Sequence, residues 1–234
     1  MELWDVHGHF LPGMDDGCKT VGEAIRVLKS SYAQGVRQMF ATPHYYPVES
    51  IEAFLERRER SYRVLADAIR EETDIPQIYL GAEVAYRPGL GYTAGLDRLC
   101  LGASRYLLLE MPFHKWNREI LRDIRNISAA SGIVPVIAHI ERYLNMDQKE
   151  LLNSLLEMDV LVQMNAECLL DAGTRRTGRK LLKDGTVHLL GTDCHNMSSR
   201  APNMGKAVEY LQKKRMDKVI FRLAELSNML FDEA

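Results

Sequence analysis

No apolar run in the 234 residues approaches the roughly 20 that a membrane-spanning helix requires. The opening Met-Glu-Leu-Trp-Asp also lacks the basic start and apolar stretch of a signal peptide. Both absences predict a cytoplasmic chain without membrane insertion. Cysteine is scarce: four residues, at 18, 100, 168 and 194, with no Cys-x-x-Cys pair, which reads as reduced thiols and not as a disulfide frame. A dominant charge is missing as well. With 30 basic against 32 acidic residues and a net charge of −2, nothing favours nucleic acid or an anionic surface as a bulk partner. Gly-x-Gly-x-x-Gly and Walker A signatures are absent, which weakens a nucleotide-binding reading. No linker, low-complexity stretch or internal repeat divides the chain, so a single domain over residues 1–234 is expected.

What is present is a 46% hydrophobic composition arranged as short aliphatic runs, several of them followed by an amphipathic helix. Strands are expected over 3–7, 36–41, 78–82, 106–109, 134–138, 160–164 and 188–191. Thr20 is placed to cap a helix with Glu23 completing a capping box, and Gly35 ends it. Further helices are expected over about 50–72, 116–131 and 203–231. Apolar runs alternating with helices imply a parallel sheet buried on both faces. Seven such units predict an α/β fold, a closed or nearly closed barrel, with a doubly wound open sheet as the rival.

The residues that follow the strands carry the chemistry. The first strand runs into Asp5, His7 and His9; the second ends in Thr-Pro-His44, the third in Gly-Ala-Glu83 and the fourth in Glu110. The fifth ends in Ala-His139 and the seventh in Asp193-Cys-His195, whereas the sixth delivers Asn165, a poor ligand type. In a parallel barrel these ends share one rim, and residues i and i+2 of a strand point to the same side. One such histidine or glutamate is ordinarily a surface or hydrogen-bonded core group. Crowded together, carboxylates and imidazoles require a compensating positive charge, and divalent metals supply it. The mixed donor set suits Mn²⁺, Zn²⁺ or Fe better than Ca²⁺ or a thiolate-bound metal. The Asp15-Asp16-Gly17 turn could bring a further carboxylate over the rim, or be a plain Asx turn.

Asp5-Val-His7-Gly-His9, Thr-Pro-His44, Gly-Ala-Glu83, Glu110, Ala-His139-Ile-Glu-Arg142-Tyr and Asp193-Cys-His195-Asn resemble the PHP (polymerase and histidinol phosphatase) superfamily. Within it they are most similar to the manganese-dependent protein tyrosine phosphatases of bacterial capsular and exopolysaccharide operons, from residue 5 to about 204. The resemblance implies a single distorted (β/α)7 TIM-like barrel, the PHP fold, and two or three divalent ions, Mn²⁺ first with Fe or Zn as alternatives. It implies one metal on His7, His9, Glu83 and Asp193, with Glu83 bridging to a second on Glu110 and His139, and a third on Asp16, His44 and His195. Asp16 is preferred to Asp15 because the family pattern sets the ligand directly before the glycine. Arg142 and Arg200 match the arginines that grip the substrate phosphate. The implied partner is a phosphotyrosine-bearing protein, a bacterial tyrosine kinase controlling polysaccharide export. Glu110 favours this branch over histidinol phosphatases, which tend to carry histidine there; Arg200-Ala-Pro in place of Arg-Pro-Pro is a departure in the phosphate loop.

The expected chemistry is in-line attack on phosphorus by a hydroxide bridging two metals. Asp5, on the strand face of His7, is expected to orient a ligand from behind. Cys194 to Arg200 also fits the Cys-x5-Arg pattern of thiol-dependent tyrosine phosphatases, a competing mechanism. A small-molecule phosphomonoesterase such as histidinol phosphatase, or an inactive regulatory binding module, are the alternative functions.

Overall fold

The computed structural model describes residues 2–146 and 149–234. Its strands are β1 (Leu3–Asp5), β2 (Val36–Ala41), β3 (His44–Tyr45), β4 (Gln77–Leu80), β5 (Glu83–Ala85), β6 (Tyr106–Glu110), β7 (Val134–Ile137), β8 (Leu161–Asn165) and β9 (Leu189–Gly191). The helices are α1 (Val21–Ala33), α2 (Ile51–Ala68), α3 (Arg118–Ser131), α4 (Lys149–Leu156), α5 (Arg175–Lys183), α6 (Met204–Lys213) and α7 (Asp217–Asp232). Thr20 caps α1 by accepting from the Glu23 amide at 3.2 Å, while the Glu23 carboxylate reaches back to the Lys19 amide at 2.9 Å.

Every paired strand is parallel, in the orders β1-β2-β4 and β3-β5-β6-β7-β8-β9. The α/β fold is therefore a curled parallel sheet, hydrogen-bonded as two pieces. The second and third expected strands each continue past a break. Pro43, which has no amide hydrogen, separates β2 from β3, and Gly81-Ala82 separates β4 from β5. Across the breaks, amide hydrogen bonds run from Gly81 to Ala41 (2.9 Å) and from Glu83 to Pro43 (3.1 Å). The curl carries the first strand to the last: the Asp193 amide donates to the His7 carbonyl and the His9 amide to the Cys194 carbonyl, both at 2.8 Å.

Alternation along the strands makes two apolar layers. Leu107 and Leu109 join the helix residues in the larger cluster, whereas Leu108 joins Val6, Phe40, Val136 and Leu189 on the opposite side. Leu230 and Phe231 of α7 fill that side, with Phe231 stacked on Phe40 at 4.3 Å. The C-terminal segment expected as one helical stretch is two helices, because Arg215 adopts φ +54° between α6 and α7.

Candidate metal centre

All nine candidate ligands, eight at strand ends and Asp16 in the loop after the first strand, come together on one side of the curled sheet. His7 and His9 present their Nε2 atoms 3.1 Å apart. Glu83 Oε2 lies 3.3 Å from His7 Nε2, 3.2 Å from His9 Nε2 and 3.1 Å from His44 Nδ1. Its other oxygen is 2.9 Å from His139 Nε2, which is 3.4 Å from Glu110. Asp193 Oδ1 lies 3.6 Å from His7 and 3.5 Å from His9. Asp16 reaches to 3.5 Å from His44 and 3.3 Å from His195. Donor atoms within 4.8 Å of one another form three overlapping groups: His9, Asp16, His44 and His195; His7, His9 and Asp193; and His44, Glu83 and Glu110. Relative to the expected partition, His9 and His44 are each shared between groups.

The backbone is bent to make this convergence. His139 and Asp193 adopt φ +34° and +54°, a left-handed conformation uncommon for residues other than glycine. Gly17 fixes the Asp15-Asp16 turn. A Cβ there would fall 1.9 Å from the His9 carbonyl oxygen, so only glycine lets the turn press against the first strand. Within the turn Asp16 faces the cluster and is 64% exposed. Asp15 stands behind it, accepting from His9 Nδ1, the His44 amide and the Gly17 amide.

The far ring nitrogens reveal what the near ones are for. His7 Nδ1 pairs with Gln163 Oε1 (3.3 Å), His9 Nδ1 with Asp15 (2.8 Å), His139 Nδ1 with the Tyr143 hydroxyl (3.2 Å) and His195 Nδ1 with the Asp193 carbonyl (2.9 Å). In each ring Nε2 is left aimed inward, the arrangement that fixes the tautomer of a metal-binding imidazole. Sequence reasoning missed Gln163 and Tyr143 and set Asn165 aside. Gln163 also accepts from the His139 amide, and it donates to Asn165, which in turn donates to Asp193 Oδ2 at 2.9 Å. The i, i+2 spacing of Gln163 and Asn165 in an otherwise apolar strand was the available signal. Asp5 holds the candidate ligand His7 through its backbone and not through its ring. It accepts from the backbone of His7 and from the Thr192 amide and hydroxyl, clamping the first and last strands without touching an imidazole ring.

Without metal, the imidazoles and carboxylates of the cluster favour one another's charged forms against the pull of burial. Burial works against charge on His9, but hydrogen bonds and charges from Asp15 and Glu83 lift its pKa from 6.5 to about 10. Burial opposes charge on His139 too, and Glu110 and Glu83 carry it to about 9. Glu83 stays well below the usual carboxylate range: burial pushes upward, and the His7 charge and the imidazole hydrogen bonds override it. His195 is pushed down to about 4 by burial, then by the charges of His9 and Arg200. Two buried atoms, Glu83 Oε2 and His44 Nδ1, still make no hydrogen bond of acceptable geometry despite lying 3.1 Å apart. Converging lone pairs and orphaned donor atoms fit divalent cations better than they fit one another.

Both arginines reach the same carboxylate. Arg142 donates to Asp193 Oδ2 and Arg200 to Asp193 Oδ1, each at 2.6 Å. Arg200 Nη1 also donates to His195 Nε2 at 2.8 Å, so a guanidinium occupies the face that this imidazole would turn to a metal. Cys194, in contrast, is fully buried and its thiol is pushed well above its ordinary value, first by burial. The amides of Ser198 and Arg200 turn onto Asn196 Oδ1 and do not form an open phosphate cradle. A buried, protonated thiol is a poor nucleophile. Elsewhere, half-buried His188 accepts from the Val162 amide and His114 is an exposed loop residue, so neither joins the cluster. Arg58 of α2 is half-buried and donates to the Gly81 carbonyl at the break between β4 and β5.

Fold and site together define an α/β protein whose parallel strands end on a candidate multinuclear metal site. The chain belongs to the CpsB/CapC family of capsular polysaccharide synthesis, which it matches over residues 3–228. It is 33% identical to the tyrosine-protein phosphatase CpsB of Streptococcus pneumoniae over 227 residues, 90% of each chain. It is 26% identical to the tyrosine-protein phosphatase YwqE of Bacillus subtilis over 238 residues, covering 97% of this chain and 90% of YwqE. Among solved structures it resembles one from work on YwqE and S. pneumoniae CpsB, described there as unique metal-dependent tyrosine phosphatases. That likeness has a TM-score of 0.87 at 24% identity and covers 99% of this chain and 95% of the other, which places the fold.

Proposed function

We propose that this chain is a metal-dependent protein tyrosine phosphatase of capsular or exopolysaccharide synthesis. Its substrate in this reading is a phosphotyrosine-bearing protein, a bacterial tyrosine kinase, met in the cytoplasm. The observation that carries the proposal is the convergence of five imidazoles and four carboxylates, with four far ring nitrogens tied away, beside two arginines on one carboxylate. Two or three divalent ions, Mn²⁺ first and Fe or Zn as alternatives, are assigned to His7, His9, Glu83 and Asp193; to Glu83, Glu110 and His139; and to Asp16, His44 and His195. The two sheets, joined where His7 meets Asp193, are read as one distorted (β/α)7 barrel in a single domain. No helix among the described residues is long and apolar enough to cross a membrane.

When bound, such ions supply Lewis acidity toward a phosphoryl group and a nucleophile drawn from water, so no side chain must attack. Arg142 and Arg200 bind the phosphoryl oxygens through planar two-donor forks and offset the charge that develops there. Gln163, Asp15, Tyr143 and the Asp193 carbonyl hold the imidazoles in place. A phenolate, with a pKa near 10, leaves without a dedicated acid. The test is turnover of phosphotyrosyl peptide, histidinol phosphate and a neutral control, with Mn²⁺ and with chelator. Metal-dependent preference for the phosphotyrosyl peptide is expected. Preference for histidinol phosphate would replace the reading by a small-molecule phosphatase, and no turnover of any would favour a binding module.

Two further outcomes are expected here. Cys194→Ser should retain turnover within about threefold, since a buried thiol takes no part; a loss of about 10³-fold or more with metal content intact would reinstate the thiol mechanism. Metal binding should also release protons. His9 and His139 have folded values of about 10 and about 9, above the ordinary 6.5. Their protonated forms therefore stabilise the metal-free fold fully below pH 6.5, and that contribution is lost as pH rises through 9 to 10. Cations compete with those protons, so apparent metal affinity should climb over the same window, with about two protons released per loading event near pH 7. Calorimetry in buffers of different ionisation enthalpy reads this directly, and a buffer-independent heat would contradict it.

A further inference from the structure

The rim of the site has an apolar side that the metals and arginines do not use. Among the described residues, the exposed large apolar side chains include Tyr46, Val48, Phe113 and Met197, all in loops that follow the candidate ligands His44, Glu110 and His195. Two of these present ring faces. Tyr46, 49% exposed, stacks on the His44 ring at 5.4 Å and 24°. Phe113, 55% exposed, stacks on the His139 ring at 5.9 Å and 20°, and on Tyr143 at 5.7 Å. Their two histidines touch opposite oxygens of one carboxylate, His44 on Glu83 Oε2 and His139 on Glu83 Oε1. The aromatic pair thus flanks Glu83, whereas Arg142 and Arg200 gather on Asp193. Exposed aromatic faces grouped at a polar site mark a place where a ligand ring is received.

We propose that Tyr46 and Phe113 form an aryl-binding subsite, receiving the phenyl ring of the substrate while its phosphate lies toward the arginines. This rests on the phosphatase reading and names its selectivity determinant: preference for an aromatic over an alkyl ester comes from two ring faces at the rim. The pair grips the leaving group and takes no part in bond breaking.

Binding of benzylphosphonate and of methylphosphonate to Mn²⁺-loaded protein tests the subsite without turnover. The unaltered chain should bind the benzyl compound about tenfold tighter or better, a difference of the size that aromatic contacts provide. Tyr46→Leu and Phe113→Leu keep an apolar cover over the histidines but remove the flat faces. Each should shrink the affinity ratio, and the double variant should bring it to about two, at unchanged metal content. In parallel, KM for a phosphotyrosyl peptide should rise about tenfold with a smaller change in kcat. Equal affinity for both compounds in the unaltered chain, or a ratio that survives in the double variant, would overturn the proposal. A benzyl preference lost in the variants, in a protein that does not hydrolyse phosphotyrosyl peptide, would keep the subsite and remove the phosphatase reading.

Discussion

Glu83→Gln is expected to lose most of the bound metal and at least about 10³-fold of turnover, the largest effect of any single change to the site. Its two oxygens lie within 3.3 Å of four imidazoles, from His7, His9, His44 and His139. Glutamine preserves volume and shape, so the change isolates charge: one oxygen becomes an amide that donates where lone pairs converge. The metal-free fold should survive, because His9 and His139 can release the protons that Glu83 helps to retain. The readout is therefore the difference between metal-free and metal-loaded protein. At a free metal concentration near 100 times Kd, binding stabilises a fold by about 2.7 kcal/mol. For a domain of this size that is a rise in melting temperature of roughly 5–10 °C. Glu83→Gln should show little of that rise. If it melted, loaded metal and turned over like the unaltered chain, Glu83 would not be the hub of the centre.

Glu83 was legible in the sequence for a simple reason: an apolar run ended, and a ligand-type residue followed. The same holds for His44, Glu110, His139 and Asp193-Cys-His195, since a parallel sheet puts strand ends together whatever the path between them. Partners supplied by tertiary structure were not legible in that way. Tyr143 meets the His139 ring only because His139 takes a left-handed turn and residues 140–143 wind into a short 3-10 helix behind it. Gln163 serves three residues on three different strands or strand ends; its spacing from Asn165 marks it as unusual in the strand but does not name those partners. The breaks beside Pro43 and Gly81 were equally hidden. Each local stretch reads as strand ending there, and the pairing that resumes at His44 and Glu83 depends on neighbours far along the chain. At the C-terminus the helical pattern is continuous enough to run through Arg215, and the left-handed turn there shows only in the folded chain.

Arg142→Met and Arg200→Met should each lower kcat/KM by about 10²–10³, and the double variant by about 10³–10⁴, less than the product of the two. Both act on one carboxylate, so their effects should not simply multiply. Lysine should rescue neither well, because a point charge cannot reproduce a fork that holds two oxygens in a plane. The arginines differ in one respect that separates their effects on metal affinity. Arg200 donates to His195 Nε2 at 2.8 Å and to Asp193 Oδ1 at 2.6 Å, atoms that the proposed ions would share. Arg142 donates to the other oxygen, Asp193 Oδ2, which also accepts from Asn165. Removing Arg200 leaves Asp193 ionised: burial pushes its pKa upward, but His7 and His9 oppose that more strongly than Arg200 does. Arg200→Met should therefore bind metal at least as tightly as the unaltered chain while losing phosphate affinity, whereas Arg142→Met should change metal affinity little. Measuring metal dissociation constants beside KM and kcat separates these roles. Parallel loss of metal and activity in Arg200→Met would mean that the guanidinium props up the site and does not grip the substrate.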